Sequence, residues 1–339
     1  MPSKREMIAP ALVRTGASAL IRRAMPWDGV ITLNYHRIGD ASPSNFDRGL
    51  WSATADMFDR QVKFAKSHFD IIRPADLPHL CKRGKGRHLI ITFDDGYLDN
   101  FEVAFPILKN NHASAVFFIT TGFIDNPRLP WWDEIAWMVR TANKTQIDLN
   151  PWIPLPLTFD EPGREKAVRT LLRAYKAMPS ADTARYLDAV AAATGTGRCT
   201  AAETKNLWMN WNMLRDMRAA GMTIGGHTVN HPILGRMTPE GQWNEISGCG
   251  KRIAQELGQP MTAFSYPVGH KNAFDSATRD CLKRSGVQYA FSYYGGIARF
   301  DRWDDYDIRR LPIDNDLSFD HFRVIVELPQ LFGREETPV

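Results

Sequence analysis

A chain of 339 residues that is 44% hydrophobic and 24% charged can bury a large core, and its charges are too evenly spread for a disordered or membrane-spanning protein. Lysine and arginine exceed aspartate and glutamate by only 42 to 38, so the balance gives no reason to expect a nucleic-acid partner. The four cysteines, Cys81, Cys199, Cys249 and Cys281, make no CxxC pair, which fits free thiols in a reducing compartment and excludes a disulfide framework.

The chain opens MPSKREMIAPALVRTGASALIRRAMPW, where Arg14 breaks the apolar run before it reaches the length of a signal-peptide core or a membrane span. The expectation is a cytoplasmic protein. Within a basic segment at 1–28, residues 8–25 fit one short amphipathic helix, with Leu12, Leu20 and Ile21 to one side and Arg14, Arg22 and Arg23 available to acidic headgroups. Peripheral contact with the inner membrane face and packing on the protein's own domain both account for this pattern.

From residue 29 onward, short apolar runs alternate with helical periodicity. GVITLNY, HFDIIR, HLIITF, SAVFFIT, MTIGG, TAFSYP, VQYAFSY and YDIRRLPI read as strands, with helices expected at 55–68, 100–111, 210–220, 239–257 and 274–285. The alternation predicts an α/β fold with a parallel sheet, and some eight strands in series suit a closed barrel over 29–323, followed by a tail at 324–339. Between 124 and 207 the alternation stops, so this stretch reads as a mainly helical insertion containing a proline-rich turn, NPWIPLPLTFDEPG. Its Trp131, Trp132 and Trp137 either cover the barrel mouth as platforms for sugar rings or pack the insertion onto the barrel.

Reactive groups in such barrels gather at the C-terminal ends of the strands. TFDDGY puts Asp94 and Asp95 at one of these ends, and two adjacent buried carboxylates demand a cation or strong donors nearby. Gly96 permits a sharp turn and a close approach. A helix cap would explain the pair equally well. Farther on, GGHTVNHP follows the strand MTIGG, and the spacing of His227 and His231 predicts two imidazoles on one side of a helical turn. Two histidines with one carboxylate form a common zinc or non-haem iron set with open positions, and the other carboxylate is then free to act as a base.

TFDDG followed well downstream by HTVNH resembles the first two motifs of the polysaccharide deacetylases, the NodB-homology or carbohydrate esterase family 4 group, over about residues 29–123 and 207–315. The resemblance implies a distorted (β/α)7–8 barrel, a divalent metal, usually Zn2+, and hydrolysis of N-acetyl groups on an amino-sugar-containing polysaccharide or glycoconjugate precursor. It assigns Asp94 as base, Asp95, His227 and His231 as metal ligands, and the backbone amide of Tyr97 as a donor to the oxyanion. FSYPVG keeps Pro267 and Gly269 of a third motif beside Tyr266, but Ser265 stands where an arginine usually orients the base. Arg310 in RRLPI is the expected replacement.

The family's LxH motif, source of its catalytic acid, is missing here. His36 in LNYHRIG ends the first strand, so an imidazole titrating near neutrality is expected at the mouth as the acid, with His270 and His321 as rivals. KRGKGR at 82–87 reads as a solvated turn, and Asp304, Asp305 and Asp307 as a hydrated loop or a second metal site. Two alternatives to the deacetylase stay open: a carbohydrate-binding barrel that has lost turnover, and a metal-dependent hydrolase of another amide or an ester.

Overall fold

The structure is a computed structural model that describes residues 4–200 and 204–333. Seven parallel strands close into a barrel: β1 (Gly29–Tyr35), β2 (Arg87–Phe93), β3 (Val116–Ile119), β4 (Thr223–Gly226), β5 (Ala263–Ser265), β6 (Tyr289–Ser292) and β7 (Ile308–Pro312). β1 closes the ring, pairing with β2 from Gly29↔Arg87 to Tyr35↔Phe93 and with β7 at Thr32↔Arg310. The eighth expected strand, HFDIIR, supplies only Asp70–Ile71, which pairs with the start of β2 outside the ring. Seven of the eight runs are therefore barrel strands.

Helices form where expected at Ala55–His68 and Pro239–Leu257, each opened by a threonine N-cap, Thr54 and Thr238. The segment expected to be one helix at 100–111 is a π turn, Asn100–Ala104, running into Phe105–Asn110. The irregular turn has a use: Asn100 Nδ2 donates to the carbonyl of His36 at 2.7 Å and fixes the end of β1.

Alternation along the strands builds the interior in layers. Val30, Ile90, Phe118, Phe291 and Ile308 form an apolar plug. One step toward the C-terminal ends come Thr32, Thr92 and Arg310, all fully buried, and then Asn34 and Asp94. A polar layer inside a barrel is stable only if its members bond one another, and this layer is where the chemistry begins.

The 124–207 segment lies between β3 and β4. It carries helices Trp131–Thr141, Glu161–Ala177 and Thr183–Thr194, as expected, and also an antiparallel hairpin, Gln146–Leu149 with Ile153–Thr158. The expected proline-rich turn is thus partly a strand, and Pro154 and Pro156 are tolerated because an isolated pair has edges free of ladder partners.

The N-terminal segment forms two helices rather than one, Lys4–Arg14 and Ala17–Ala24, separated by Gly16 at φ 70°. Ala9 packs with Val324 and Leu328, and Arg22 pairs with the buried Glu327 at 3.1 Å. The boundary expected at 323 falls inside helix Phe319–Glu327, so the C-terminal segment is part of the body that receives these helices. Residues 334–339 of the expected tail lie outside the described residues.

Candidate active site

β2 ends in a turn whose consecutive residues Asp95 and Gly96 have φ of 76° and 95°. A Cβ on Gly96 would stand 3.3 Å from Ile124 Cδ1 and 3.4 Å from Ile119 Cγ2, so the position needs both the conformation and the smallness of glycine. This turn buries both carboxylates in opposite circumstances.

Asp94 is saturated with donors. Arg310 reaches it with both terminal nitrogens, Nη1 to Oδ1 and Nη2 to Oδ2, each at 2.8 Å. Ser265 Oγ adds a bond at 3.2 Å. Arg310 also donates to Asn34 Oδ1 at 2.7 Å, to Ser265 Oγ at 2.8 Å and to the Ser292 carbonyl at 3.1 Å. Burial alone would push the Asp94 carboxyl up, but the charge of Arg310, helped by His227 and His36, holds it well below the usual carboxylate range.

Asp95 is the reverse. Its Oδ1 accepts no hydrogen bond, although it is buried, and stands 3.6 Å from His227 Nε2 and 3.5 Å from His231 Nε2. Burial, Asp94 and Asp133 push its carboxyl well above the ordinary value. A carboxylate oxygen with no donor, in the field of two other carboxylates, needs a cation to be stable as an anion.

The two histidines come from the loop after β4 and not from a helical turn, because Thr228 and His231 have φ of 68° and 57°. Glu245 Oε2 ties the loop down by accepting from the amides of Val229 and Asn230 at 2.9 and 2.8 Å. His227 Nδ1 lies 2.7 Å from the carbonyl of Ser265, which can only accept, so the proton sits on Nδ1 and Nε2 presents its lone pair. Burial pushes both imidazoles down and keeps them neutral, as ligation requires. Ligand atoms of Asp95, His227 and His231 lie within 4.8 Å of one another. Neutral nitrogens, an unsatisfied carboxylate oxygen and a fixed tautomer fit a divalent cation.

Behind these residues, Tyr97 donates its hydroxyl proton to Asp133 Oδ2 and accepts from Trp132 Nε1, both at 2.8 Å. Burial pushes Asp133 up to about 7 against the opposing charge of Arg37. Trp132 meets the ring of His231 edge-on at 4.4 Å, and Trp131 stacks on Tyr175 at 4.1 Å. Both tryptophans line the cavity at the barrel mouth but are only 5% and 8% exposed, so they brace a ligand and the insertion more than they offer open platforms. Trp137 is half-buried against the core and does not line the cavity. The amide of Tyr97 has no acceptor among the described residues.

The cavity, about 310 Å³, is also lined by His36, Tyr266, Val268, His270, Tyr293 and Asp314. Pro267 does not line it; its carbonyl accepts from Gly269 at 2.7 Å and shapes the turn. His36 stands beside Tyr293, but not with the near-neutral pKa expected: burial, Arg310 and His227 push it down to about 4. His270 is half-buried and lowered by burial and by Lys176. His321 lies on helix Phe319–Glu327 and does not line the cavity. The acidic loop holds no ligand cluster among the described residues: Asp304 pairs with Arg279, Asp305 accepts from Trp303, and Asp307 accepts from Ser292. KRGKGR ends the short helix Leu77–Arg83 in a turn through Gly84.

Sequence reading missed Asn34, Asp133, Tyr293 and Lys176. Asn34 alone carried a findable signal, an amide side chain near the end of a largely apolar strand.

The family model described as polysaccharide deacetylase matches residues 82–147 and 157–290, more than half of the chain. Poly-β-1,6-N-acetyl-D-glucosamine N-deacetylase of Staphylococcus aureus is 30% identical over 109 residues, 29% of this chain and 38% of its own length. The Bacillus subtilis protein YxkH is 27% identical over 114 residues, 34% of this chain and 39% of that protein. The chain therefore spans about two-fifths of the length of these curated relatives. Among solved structures, the Streptococcus pyogenes deacetylase PplD in complex with acetate superimposes with a TM-score of 0.58 at 18% identity, covering 89% of this chain and 100% of that one. IcaB from Ammonifex degensii gives 0.56 at 16%, covering 89% and 97%. Those two likenesses establish the shared barrel, and the family match, which includes TFDDG and HTVNH, goes further: the chain belongs to the polysaccharide deacetylase family.

Proposed function

We propose that the protein is a metal-dependent deacetylase that hydrolyses N-acetyl groups on an amino-sugar-containing polysaccharide or glycoconjugate precursor. The observation that carries this reading is the contrast between two adjacent carboxylates: Asp94 locked onto Arg310, and Asp95 left bare opposite two neutral imidazoles.

Asp95 Oδ1, His227 Nε2 and His231 Nε2 would hold the cation, which when bound polarises the acetyl carbonyl and acidifies the attacking water. Asp94 is aimed by Arg310 to take the proton from that water. A carboxyl held so low is a poor store for a proton, so the proton passes on to the departing amine through an imidazole at the mouth. His36 is the better placed imidazole, since it feels Asp94, Arg310 and His227 directly, and it starts neutral at pH 7. The Tyr97 amide is the donor for the oxygen that gains charge.

Elemental analysis with acetate release from N-acetylglucosamine oligomers tests the reading in the native chain, Asp94→Asn and His231→Ala. The expected result is near one metal per chain, kept in Asp94→Asn and lost in His231→Ala, with acetate from the native chain alone. Metal without acetate from any saccharide points instead to a binding barrel or to another amide or ester. Absence of metal in the native chain overturns the reading.

A further inference from the structure

Insertion helix Glu161–Ala177 lies along one side of the cavity, and its Arg169, Arg173 and Lys176 recur at helical spacing on a single face. All three are exposed. A second groove of about 260 Å³ adjoins the catalytic cavity and shares Arg169, Leu172, Lys176, Val268 and His270 with it. Across the groove stands Arg236, from the short turn Leu234–Arg236 that follows the metal-ligand loop.

Among the described residues no carboxylate lines this second groove, although the protein as a whole is only +4. Neither Arg173 nor Arg236 has a salt bridge among the described residues, and the charge of Glu165 near Arg169 is already held by Arg140 at 2.6 Å. Arg173 and Arg236 line the groove without a salt bridge among the described residues, so an anion seated between them meets their charge without displacing an acidic partner. The helix is not free to swing away. Arg164 donates to the carbonyls of Val139 and Ala142, and Tyr175 is stacked on Trp131, itself a cavity wall. The field of Lys176 already reaches His36, Asp47 and His270.

From this arrangement we propose that the groove is an anion subsite, and that the saccharide deacetylated next door carries a phosphate or carboxylate group beside its acetamido sugar. This rests on the deacetylase reading for the neighbouring cavity, but not for the binding itself. Guanidinium forks suit phosphate and carboxylate oxygens equally, so the shared chemistry is an anionic glycan group. A neutral polymer would leave Arg173 and Arg236 without an anionic partner.

The test uses ligands that lack an acetamide, so that turnover plays no part. Calorimetric titration of the full chain with UDP-glucose, tetragalacturonate and neutral cellotetraose is repeated with Arg173→Ala/Arg236→Ala, after melting curves confirm that the double variant folds. The expected result is binding of at least one anionic ligand that weakens about tenfold or more in the double variant and falls with salt. UDP-glucose alone indicates a phosphate-linked substrate, and tetragalacturonate alone a uronate-containing polymer. Binding unaffected by the double variant, equal binding of cellotetraose, or no binding of any anion overturns the proposal. Failure of the deacetylase reading is read separately, as the absence of acetate release from every acetylated saccharide.

Discussion

Arg310 on β7 grips both oxygens of Asp94, which follows β2, at 2.8 Å each, across a barrel interior where neither side chain meets solvent appreciably. A buried bidentate pair fixes direction as well as charge, and here it fixes which way the Asp94 carboxylate faces. Ser265 leaves room for it: its small side chain accepts from Arg310 Nη2 at 2.8 Å where a larger one would collide.

Arg310→Lys keeps the charge but loses the fork, so it separates orientation from electrostatics. Three of the bonds made by Arg310, to Asn34, Ser265 and Ser292, can at best be partly replaced by one ammonium. We expect the variant to fold, to keep its metal, and to lose about tenfold to a hundredfold in kcat. Arg310→Ala leaves Asp94 buried without a counter-ion and should cost about 3–5 kcal/mol, visible in denaturant titration. Full activity in Arg310→Lys would show that orientation of Asp94 is set elsewhere.

The same pair governs acid stability. The folded carboxyl of Asp94 is depressed below its ordinary value of 3.8, so on acidification the unfolded chain takes up this proton first. Its contribution to stability is therefore fully present above about pH 4 and is lost as pH falls further toward the folded pKa. The stability difference between the native chain and Asp94→Asn should be flat from neutral pH down to that point and then shrink. Chemical denaturation at several pH values reads the difference directly; a gap that shrinks instead between pH 5 and 7 would mean that Asp94 is not held low.

The grouping of Asp94, Asp95, His227 and His231 was legible because two short motifs stand in a fixed order, and Arg310 as the partner of Asp94 because a serine stood in an arginine's usual place. How His227 and His231 meet was not legible. Four-residue spacing says helix, but Thr228 and His231 adopt left-handed conformations that their side chains disfavour, and only tertiary ties such as Glu245 to the loop amides compensate for that strain. Asp133 sits inside a helical run of aromatics, where nothing in WWDEIAW announces that its carboxylate will meet Tyr97. The hairpin at 146–158 was hidden by Pro154 and Pro156, which argue against a strand except at an edge. The pKa of His36 depended on burial between Arg310, His227 and Tyr293, three residues far away in sequence.

That lowered pKa sharpens the choice of acid. His36→Gln keeps polarity and size but cannot carry a proton between water and amine. With His36 as the carrier, kcat should fall about a hundredfold or more while metal content and KM stay close to native. His270→Gln should cost less than about tenfold. The reverse order in steady-state kinetics would assign the proton transfer to His270.

The N-terminal helices leave an apolar surface that their packing does not use. While Ala9 is buried against Val324 and Leu328, Leu20 is 72% exposed, Ile8 50% and Met25 42%, with Arg23 exposed beside them. Exposed leucine and isoleucine flanked by arginine match the chemistry of an anionic bilayer surface, where apolar side chains enter the headgroup region and guanidinium groups meet phosphates. We propose peripheral membrane contact through this face. Leu20→Glu tests it without touching the core, since the side chain makes little contact with the body. The full-length native chain should float with vesicles containing phosphatidylglycerol and not with phosphatidylcholine alone, and the variant should lose most of that binding at an unchanged melting temperature. Equal flotation of both proteins would leave the two helices with a purely structural task, holding Glu327 through Arg22 and packing on the C-terminal helix.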